Sequence, residues 1–435
     1  MHTIEKLYQL FSHSRGVSTD TREDLADKIF FALRGERFDG NQYARDALNA
    51  GARAAVVDHT DLKQVQGCLY FKNSLTTLQR LANFHRNQFD IPVVGITGTN
   101  GKTTTKELIV SVLSEKYKVC STRGNLNNHI GVPLTLLQMS SSDEVAVIEM
   151  GANHPGEIGW LCQIAAPNLG LVTNVGKAHL QGFGGIENIW RTKMDLYRYL
   201  DSHSGSLMIN RNEPSLEPLK DISFTNAFRF DRTHLIQPYR SVDFSTSNQT
   251  IEVELHTVLG TYSCSVALYG EHNINNILCA LAIGAKLGME PEEICRGLQN
   301  YRSKLNRSEV VVKDSNTYFL DAYNANPTSM RLALEFFEKV IADNKVLILG
   351  DMFELGEDAL SFHQEVVDQV LGMSLSGVLL VGEQFGNCRI DQPGLFVRKF
   401  ENTKAVIEYL SGTAYQNTHF LIKGSRSMKL ETLVQ

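Results

Sequence analysis

The sequence predicts an α/β fold with three domains, and three observations carry this prediction. Apolar runs of strand length alternate with helical stretches, and polar residues follow the runs at their C-terminal ends. This pattern is typical of a parallel sheet that is covered by helices on both faces. Between residues 244 and 268 the pattern changes to period two, which indicates an antiparallel addition. The length of 435 residues allows about two to four domains.

We expect a first domain over residues 1–88, a central domain over 89–304 and a third, Rossmann-like domain over 305–435. The predicted parallel strands are short apolar runs, at 28–33 and 54–58, then at 91–97, 145–149 and 169–175, and finally at 346–351, 377–382 and 419–424. An antiparallel hairpin is predicted from strands at 251–256 and 262–268. Helices are predicted at 43–52, 104–117, 273–288 and 327–342.

Composition excludes several classes of protein. Hydrophobic residues make up 43% and charged residues 21% of the chain, which argues against disorder. The 42 Lys and Arg residues against 48 Asp and Glu give a formal charge of −6, so nothing overall favours nucleic acid or an anionic membrane as a partner. The seven cysteines form no CxxC pair, and we see neither a signal peptide nor an apolar run long enough to span a membrane. We therefore expect a cytoplasmic protein with reduced thiols.

A phosphate-binding loop is predicted between the strand 91–97 and the helix 104–117. Its residues are Gly98, Thr99, Asn100, Gly101, Lys102, Thr103 and Thr104. Glycines let backbone N–H groups approach phosphate oxygens, and the helix N-terminus and the lysine add positive charge. The spacing departs from GxxxxGK[ST], because Ile96 stands five residues before the second glycine. The alternative is a purely structural turn, but strand, turn, lysine and helix together favour a nucleotide.

The segment TGTNGKTTTKE (97–107) resembles the ATP loop of the Mur amino-acid ligases and the folylpolyglutamate synthetases. Nine further segments match the Mur ligases in order: TDTRED (19–24), FFALRGERFDG (30–40), GNLNNHIGVPLTLL (124–137), EMGANHPGEI (149–158), AHLQGFGG (178–185), GEHNINN (270–276), DAYNANPTSM (321–330), GDMFELG (350–356) and KGSRSM (423–428). The resemblance implies an enzyme that uses ATP and Mg²⁺ to join D-alanyl-D-alanine to UDP-N-acetylmuramoyl-tripeptide through an acyl phosphate, in peptidoglycan precursor synthesis. We expect a monomer.

The same resemblance implies roles for individual residues. Lys102, His179 and Lys193 would be catalytic, and the Mg²⁺ ligands would be Thr103, Glu149, His179 and Lys193, the last as a carbamate. Beside the phosphate loop, ATP would be bound by Asn273, Asn276, Arg307 and Asp321. Substrate contacts would come from Thr21 and Arg22 at the uridine-diphosphate end, from Asn127 and Asn128, and from Asn324, Asn326, Lys423 and Ser425 on the dipeptide side. From the residues alone, helix capping, turn formation or plain solvation would explain most of these positions equally well.

Three alternatives stay open. Two are ligases of the same fold: a folylpolyglutamate synthetase-like enzyme, which residues 1–88 disfavour, and a Mur ligase that adds a single amino acid. The third is a phosphate-loop protein that uses ATP as a switch and forms no amide bond.

Overall fold

The computed structural model describes residues 2–36, 38–303, 307–390 and 394–434. The predicted boundary between residues 304 and 305 lies outside these ranges. The described residues form four sheets and one short β-hairpin, and helices cover the sheets.

The first sheet has four parallel strands in chain order, Val17–Ser18, Ile29–Phe31, Ala54–Val57 and Cys68–Tyr70. Its helices are Ile4–Ser12, Ala44–Asn49 and Ser74–Arg86, with 3₁₀ turns at Gly40–Tyr43 and Thr60–Leu62. The strands Arg34–Gly35 and Phe38–Asp39 form the separate hairpin. Every residue of the two middle strands is buried, because apolar residues on both faces meet a layer of other elements.

The central sheet has six parallel strands. In spatial order they are Ala227–Phe230, Ser206–Asn210, Leu169–Val172, Val93–Thr97, Val145–Glu149 and Val119–Ser121. Its helices are Lys102–Leu113, Gly131–Leu136, Glu157–Ala165, Leu180–Phe183, Ile186–Ser202, His272–Lys286 and Pro291–Asn300, with a 3₁₀ segment at Pro214–Leu219. Ligands of such sheets bind outside the carboxyl ends of the strands, and the predicted phosphate loop follows one of the two middle strands.

The antiparallel addition has three strands, Tyr239–Thr246, Ile251–Thr257 and Thr261–Val266. The second and third are the predicted hairpin. The first strand was not predicted, because as an edge strand it buries only Tyr239 and Val242 and most of its other residues are polar.

The sheet of the C-terminal region is called the third sheet, because the antiparallel strands are counted as an addition to the central one. Its six strands have the order Glu309–Lys313, Asn316–Asp321, Thr418–Lys423, Asn344–Gly350, Gly377–Val381 and Val397–Phe400. The first of these is antiparallel to its neighbour and the others are parallel. The helices are Pro327–Lys339, Ala359–Leu371, Glu383–Asn387 and Thr403–Ser411, with 3₁₀ turns at Gly356–Asp358, Arg426–Met428 and Leu430–Leu433.

The predicted fold class is therefore confirmed, including the antiparallel addition and the Rossmann-like C-terminal sheet. The first and central sheets share one apolar cluster, which runs from Leu7 to Leu219, whereas both faces of the third sheet are packed by clusters drawn almost wholly from that sheet and its helices. Within the described ranges, no helix combines the length and apolar character that crossing a membrane requires.

Candidate active site

The phosphate loop adopts a backbone that only glycine fits at two positions. Gly98 has a φ of +150° and Gly101 a φ of +76°. A Cβ at Gly98 would lie 1.9 Å from Oγ1 of Thr173, and one at Gly101 would lie 2.5 Å from Oδ1 of Asn276. The helix Lys102–Leu113 starts directly after the second glycine, so its free N–H groups face the space beside the loop.

A cavity of about 510 Å³ lies beside this loop, between the central and third sheets. Most of the residues predicted from the sequence line it: Thr99, Asn100, Gly101, Lys102, Thr103, Thr104, Asn127, Asn128, Glu149, His179, Asn273, Asn276, Arg307, Asp321, Asn324, Asn326 and Lys423. Five predicted residues do not line it: Gly98, Thr21, Arg22, Lys193 and Ser425. The cavity therefore collects side chains that are more than 300 positions apart in the sequence.

Lys102 is turned back onto its own loop. Its Nζ donates hydrogen bonds to the carbonyl oxygens of Gly98 and Thr99, at 2.8 and 2.9 Å. Burial lowers the pKa of Lys102 to about 8, with Glu149 opposing this shift and Arg307 adding to it. A phosphate oxygen in the cavity would offer this ammonium a stronger partner than two backbone carbonyls.

Glu149 presents an unpaired carboxylate oxygen. The side chain is 1% exposed, and its Oε1 accepts hydrogen bonds from Thr103 Oγ1 at 3.2 Å and from Asn127 Nδ2 at 2.7 Å. Its Oε2 is buried and has no hydrogen-bond partner among the described residues. A buried charged oxygen left in this state is costly, so the position suits a cation.

Asn273 and Asn276 form one hydrogen-bonded unit behind the loop. Asn276 Nδ2 donates to Asn273 Oδ1 at 2.8 Å, and Thr105 Oγ1 donates to Asn276 Oδ1 at 3.0 Å. Asn273 Nδ2 donates to the carbonyl of Tyr269 at 2.8 Å. Neither side chain caps the helix His272–Lys286, so capping does not explain these two asparagines.

The third sheet contributes a group of charged residues. Lys423 is fully buried, and it pairs with the Asp321 carboxylate and donates to the carbonyl of Asn324 at 3.3 Å. Burial alone would raise the pKa of Asp321, but the ammonium of Lys423 holds it below its ordinary value. The Arg307 guanidinium lies 3.6 Å from the ring centre of Tyr323, and its Nε is buried without a hydrogen-bond partner in the described parts of the chain.

Asn326 connects the third sheet to the phosphate loop. Its Oδ1 accepts from the backbone N–H of Ser329 at 2.9 Å, and so caps the helix Pro327–Lys339. Its Nδ2 donates to Oδ1 of Asn100 at 2.7 Å. One side chain thus both starts a helix of the third sheet and contacts the loop of the central sheet.

His179 and Lys193 lie at the far side of Lys102. His179 has a φ of +50° and its Nδ1 is hydrogen-bonded to the carboxylate of Glu354, a residue of the loop after the strand Asn344–Gly350 that sequence reasoning missed. Burial lowers the pKa of His179, an effect that the Glu354 carboxylate opposes. Lys193 is 3% exposed, its Nζ lies 5.6 Å from the ring centre of Phe183, and it forms no hydrogen bond or ion pair with any described residue. Burial, reinforced by Lys102, holds the pKa of Lys193 well below its ordinary value.

The side chains of three predicted substrate residues already form hydrogen bonds with other residues of the chain. The Arg22 side chain is 88% exposed and donates through Nε to Asp20 at 2.9 Å. Asn128 lines the cavity, but its Oδ1 accepts from the N–H groups of Ile130 and Gly131. Ser425 Oγ accepts from the N–H of Phe353 at 3.0 Å. The cavity lining also includes His129, His154, Trp160, His272 and Tyr323, which sequence reasoning did not single out. Four of them, all except Trp160, lie inside the matched segments, and that position is the only signal for them in the sequence.

Comparison with known proteins places the whole chain in one family. The family model of the Mur ligase middle domain matches residues 96–284, that of the "Mur ligase, glutamate ligase domain" matches 306–426, and that of the "Mur ligase family, catalytic domain" matches 13–86. The resemblance seen in the sequence motifs is therefore confirmed, and the matched ranges include strands of all four sheets.

Individual relatives are similar over nearly their full length. The UDP-N-acetylmuramoyl-tripeptide–D-alanyl-D-alanine ligase of Bacillus subtilis is 34% identical over 97% of this chain and 92% of its own. The crystal structure of MurF from Acinetobacter baumannii has a TM-score of 0.86 at 28% identity, covering 99% of this chain and 97% of its own. That of the MurF ligase from Thermotoga maritima in complex with ADP has a TM-score of 0.84 at 25% identity, covering 100% and 97%. The chain belongs to the Mur ligase family.

Proposed function

We propose that this chain is an ATP-dependent ligase that joins D-alanyl-D-alanine to UDP-N-acetylmuramoyl-tripeptide in the cytoplasmic synthesis of the peptidoglycan precursor. The observation that carries the proposal is the single cavity in which the phosphate loop faces Arg307, Asp321 and Lys423 of the third sheet. The names of the relatives suggest the two substrates. The domains would follow the predicted boundaries, 1–88, 89–304 and 305–435, and act as a monomer.

ATP would lie with its phosphates on the loop. The N-terminus of the helix Lys102–Leu113 and the Lys102 ammonium, released from its two carbonyls, would bind phosphate oxygens. Arg307 would add a second cation from the third sheet, and Asp321 would accept a hydrogen bond from the ribose. Asn273 and Asn276 lie behind Gly101, where they would contact the adenine.

The residues present fit Mg²⁺, which takes oxygen ligands and needs few from the protein. Thr103 Oγ1 and the unpaired Glu149 Oε2 are two such oxygens, and the nucleotide would supply others. In the described part of the chain, no group of three or more His, Cys, Asp or Glu side chains is arranged so that it could hold a metal ion, so a metal here would depend on the bound nucleotide. When bound, Mg²⁺ would reduce the repulsion between the ATP phosphates and the substrate carboxylate.

The reaction would proceed in two displacements. A carboxylate oxygen of the tripeptide attacks the γ-phosphorus, the bond to the β-phosphate oxygen breaks, and ADP leaves. The amine of the dipeptide then attacks the acyl carbon, loses a proton, and phosphate departs as the amide forms. Because the carboxylate and the amine of the substrates are themselves the nucleophiles, no side-chain nucleophile is required. Lys102 and Arg307 would stabilise the charge that develops on the transferred phosphoryl group.

Lys193 would act as a carbamate and supply anionic oxygens next to His179. Burial lowers the pKa of Lys193 and so favours its uncharged amine, the form that can add CO₂ with release of one proton. Its freedom from hydrogen bonds and ion pairs with the described residues supports this role. The carbamate and His179 would hold a second Mg²⁺.

The substrate ends are assigned by position. Thr21 and Arg22 of the first sheet would bind the uridine diphosphate, after Arg22 exchanges Asp20 for a phosphate. Asn127 and Asn128 would contact the sugar-peptide, and Asn324, Asn326, Lys423 and Ser425 would form the dipeptide side.

A product assay tests the proposal. Purified protein is incubated with ATP, Mg²⁺, D-alanyl-D-alanine and UDP-N-acetylmuramoyl-tripeptide carrying either diaminopimelate or lysine, and the products are identified by mass spectrometry. We expect ADP, phosphate and one pentapeptide product. Phosphate release without any amide product would favour the ATP-switch alternative. Parallel incubations replace the dipeptide by a single amino acid, or both substrates by a folate and glutamate, and an amide product formed only there would favour one of the other two ligases.

A further inference from the structure

The cavity has an aromatic end that the reaction chemistry leaves unused. Trp160 lies on the helix Glu157–Ala165, lines the cavity, and is 40% exposed. Its ring stacks on that of His129, with centroids 5.5 Å apart and planes inclined by 10°. Among the described residues, Trp160 is the one exposed large hydrophobic residue that lines this cavity, and a few well-placed aromatic side chains are typical of ligand sites. We call this pair the Trp160–His129 shelf.

The shelf lies where the first and central sheets meet. Gln79, on the first-sheet helix Ser74–Arg86, donates to the carbonyl oxygen of His129 at 2.9 Å. Asn83 of the same helix donates to the carbonyls of Gln163 and Ile164, at 2.9 and 3.1 Å. The first-sheet helix therefore holds both elements that form the shelf.

If the proposed function is correct, the bound substrate must extend across the Trp160–His129 shelf. Its uridine-diphosphate end would bind the first sheet, and its reacting carboxylate must reach the phosphate loop. The N-acetylmuramoyl ring stands between these two ends in the covalent structure. The shelf stands between the first sheet and the phosphate loop in the protein.

The chemistry of the lining favours a neutral sugar over a charged group. Among the described residues that line the cavity, the lysines and arginines are Lys102, Arg307 and Lys423, and all belong to the loop or the third sheet. The segments that flank the shelf contribute further polar but uncharged groups to the lining, the amides of Asn125 and Asn153 and the imidazole ring of His154, beside the apolar Ala152 and Leu161. The one nearby carboxylate, Glu157, already accepts the N–H groups of Asn153 and His154 at 2.7 and 3.0 Å.

We propose that the Trp160–His129 shelf binds the pyranose ring of the N-acetylmuramoyl group and so positions the tripeptide in the cavity. The C–H face of a pyranose packs against the electron-rich face of an indole, and the flanking amides bind hydroxyl and acetamido groups. Trp160 is thus a positioning residue for the acyl substrate. This inference rests on the proposed function and adds a subsite to it.

Tryptophan fluorescence gives a direct test, because the chain has two tryptophans. Trp190→Phe leaves Trp160 as the single tryptophan, which is excited selectively over the tyrosines, and it breaks no hydrogen bond with the described residues, since the Trp190 N–H has none there. Without ATP or dipeptide, this protein is saturated, as verified by calorimetry, with UDP-N-acetylmuramoyl-tripeptide, UDP-N-acetylmuramic acid or UDP, and acrylamide quenching is measured. We expect the first two ligands to protect Trp160 from acrylamide and UDP to leave it unprotected.

Kinetics supply the second readout. Trp160→Ala should raise the KM for UDP-N-acetylmuramoyl-tripeptide roughly three- to ten-fold, the range that one aromatic contact supports, with the KM for ATP and for the dipeptide unchanged. Trp160→Phe should restore most of the loss. Circular dichroism of both variants verifies the fold.

Several results would overturn the inference. Protection by UDP would place the nucleotide on the shelf, and protection by the tripeptide substrate but not by UDP-N-acetylmuramic acid would place the peptide there. Binding of all three ligands without protection would show that nothing covers Trp160. Failure of UDP-N-acetylmuramoyl-tripeptide to bind at all would instead refute the proposed function, and this inference with it.

Discussion

The first and third sheets are attached to the central sheet in different ways. The first shares a continuous apolar cluster with the central sheet, through the helix Ser74–Arg86. The third meets the central sheet mainly through polar pairs: Asn326 with Asn100, His179 with Glu354, and Lys339 with Glu271. The apolar part of the second contact is centred on Tyr269, which stacks on Phe336 at 4.5 Å.

The candidate site is divided between the same two parts of the molecule. The phosphate loop and the shelf belong to the joined first and central sheets, whereas Arg307, Asp321 and Lys423 belong to the third. Apolar contacts are short-ranged and collectively strong, so they fix the first sheet in place. Polar pairs exchange readily for water and ligand, so we expect the third sheet to open and close over ATP. On this expectation the molecule combines a rigid half and a hinged half around one cavity.

The apolar contact should carry the larger stability effect. Leu81 is fully buried in the shared cluster, and Leu81→Ala should lower the free energy of unfolding by about 2–5 kcal/mol. Phe336→Ala at the other contact should cost less, because Phe336 is only partly buried. Urea denaturation of both variants makes the comparison, and equal losses would contradict the proposed difference.

Substitutions in the cavity between the two halves should lower activity more than substitutions elsewhere in the chain. Lys102→Ala removes a cation from the phosphates and should lower kcat by about 10²–10³-fold, or ~3–4 kcal/mol. Steady-state phosphate release measures the loss. Lys116→Ala, at an exposed position on the same chain segment, is the matched control and should leave kcat unchanged. A Lys102→Ala enzyme with normal turnover would refute the phosphate-loop assignment.

Substitutions of Asn326 distinguish an effect on the stability of the fold from an effect on the contact between the two halves. Serine is also a good N-cap, so Asn326→Ser should keep the stability while losing the hydrogen bond to Asn100. Activity should fall roughly three- to ten-fold, the worth of one neutral hydrogen bond. Asn326→Ala should lose a similar amount of activity and also about 1 kcal/mol of stability. If the serine variant were as active as the parent protein, the Asn326–Asn100 contact would have no role in closure.

The smallest expected effect is a pH dependence of the free energy of unfolding, which arises at the apolar contact between the first and central sheets. His85 is buried there, with Nε2 donating to the Met139 carbonyl at 2.9 Å, and burial lowers its pKa below the ordinary value of 6.5. Between the lowered and the ordinary pKa the unfolded chain binds a proton that the folded chain does not, so stability falls as the pH drops below 6.5. The slope is at most about 1.4 kcal/mol per pH unit for one group. His85→Gln should flatten the dependence between pH 5 and 7, measured by urea denaturation, and an unchanged slope would exclude His85 as its source.

The local parts of the site could be predicted from the sequence. A buried strand, two glycines and a lysine indicate the loop, and Glu149 stands at a strand end, where a parallel sheet presents ligand contacts. The Glu354 and Trp160 contacts could not be predicted, because each depends on how separate elements pack. Glu354 reaches His179 from another sheet, 175 positions away. The resemblance to the Mur ligases supplied the partners of the loop. It did not show that the side chains of Arg22, Asn128 and Ser425 already hydrogen-bond to other residues of the chain.

The central claim is that the third sheet moves while the first stays fixed, and distances between spin labels test it most directly. Non-natural amino acids carry the labels, because the chain has seven cysteines. They replace three exposed residues: Arg45 beside the first sheet, Leu259 in the antiparallel addition that packs on the central sheet, and Lys404 beside the third sheet. With an ATP analogue and UDP-N-acetylmuramoyl-tripeptide, we expect the Leu259–Lys404 distance to change and the Arg45–Leu259 distance to stay constant. A constant Leu259–Lys404 distance, or an equal change in both, would contradict the account.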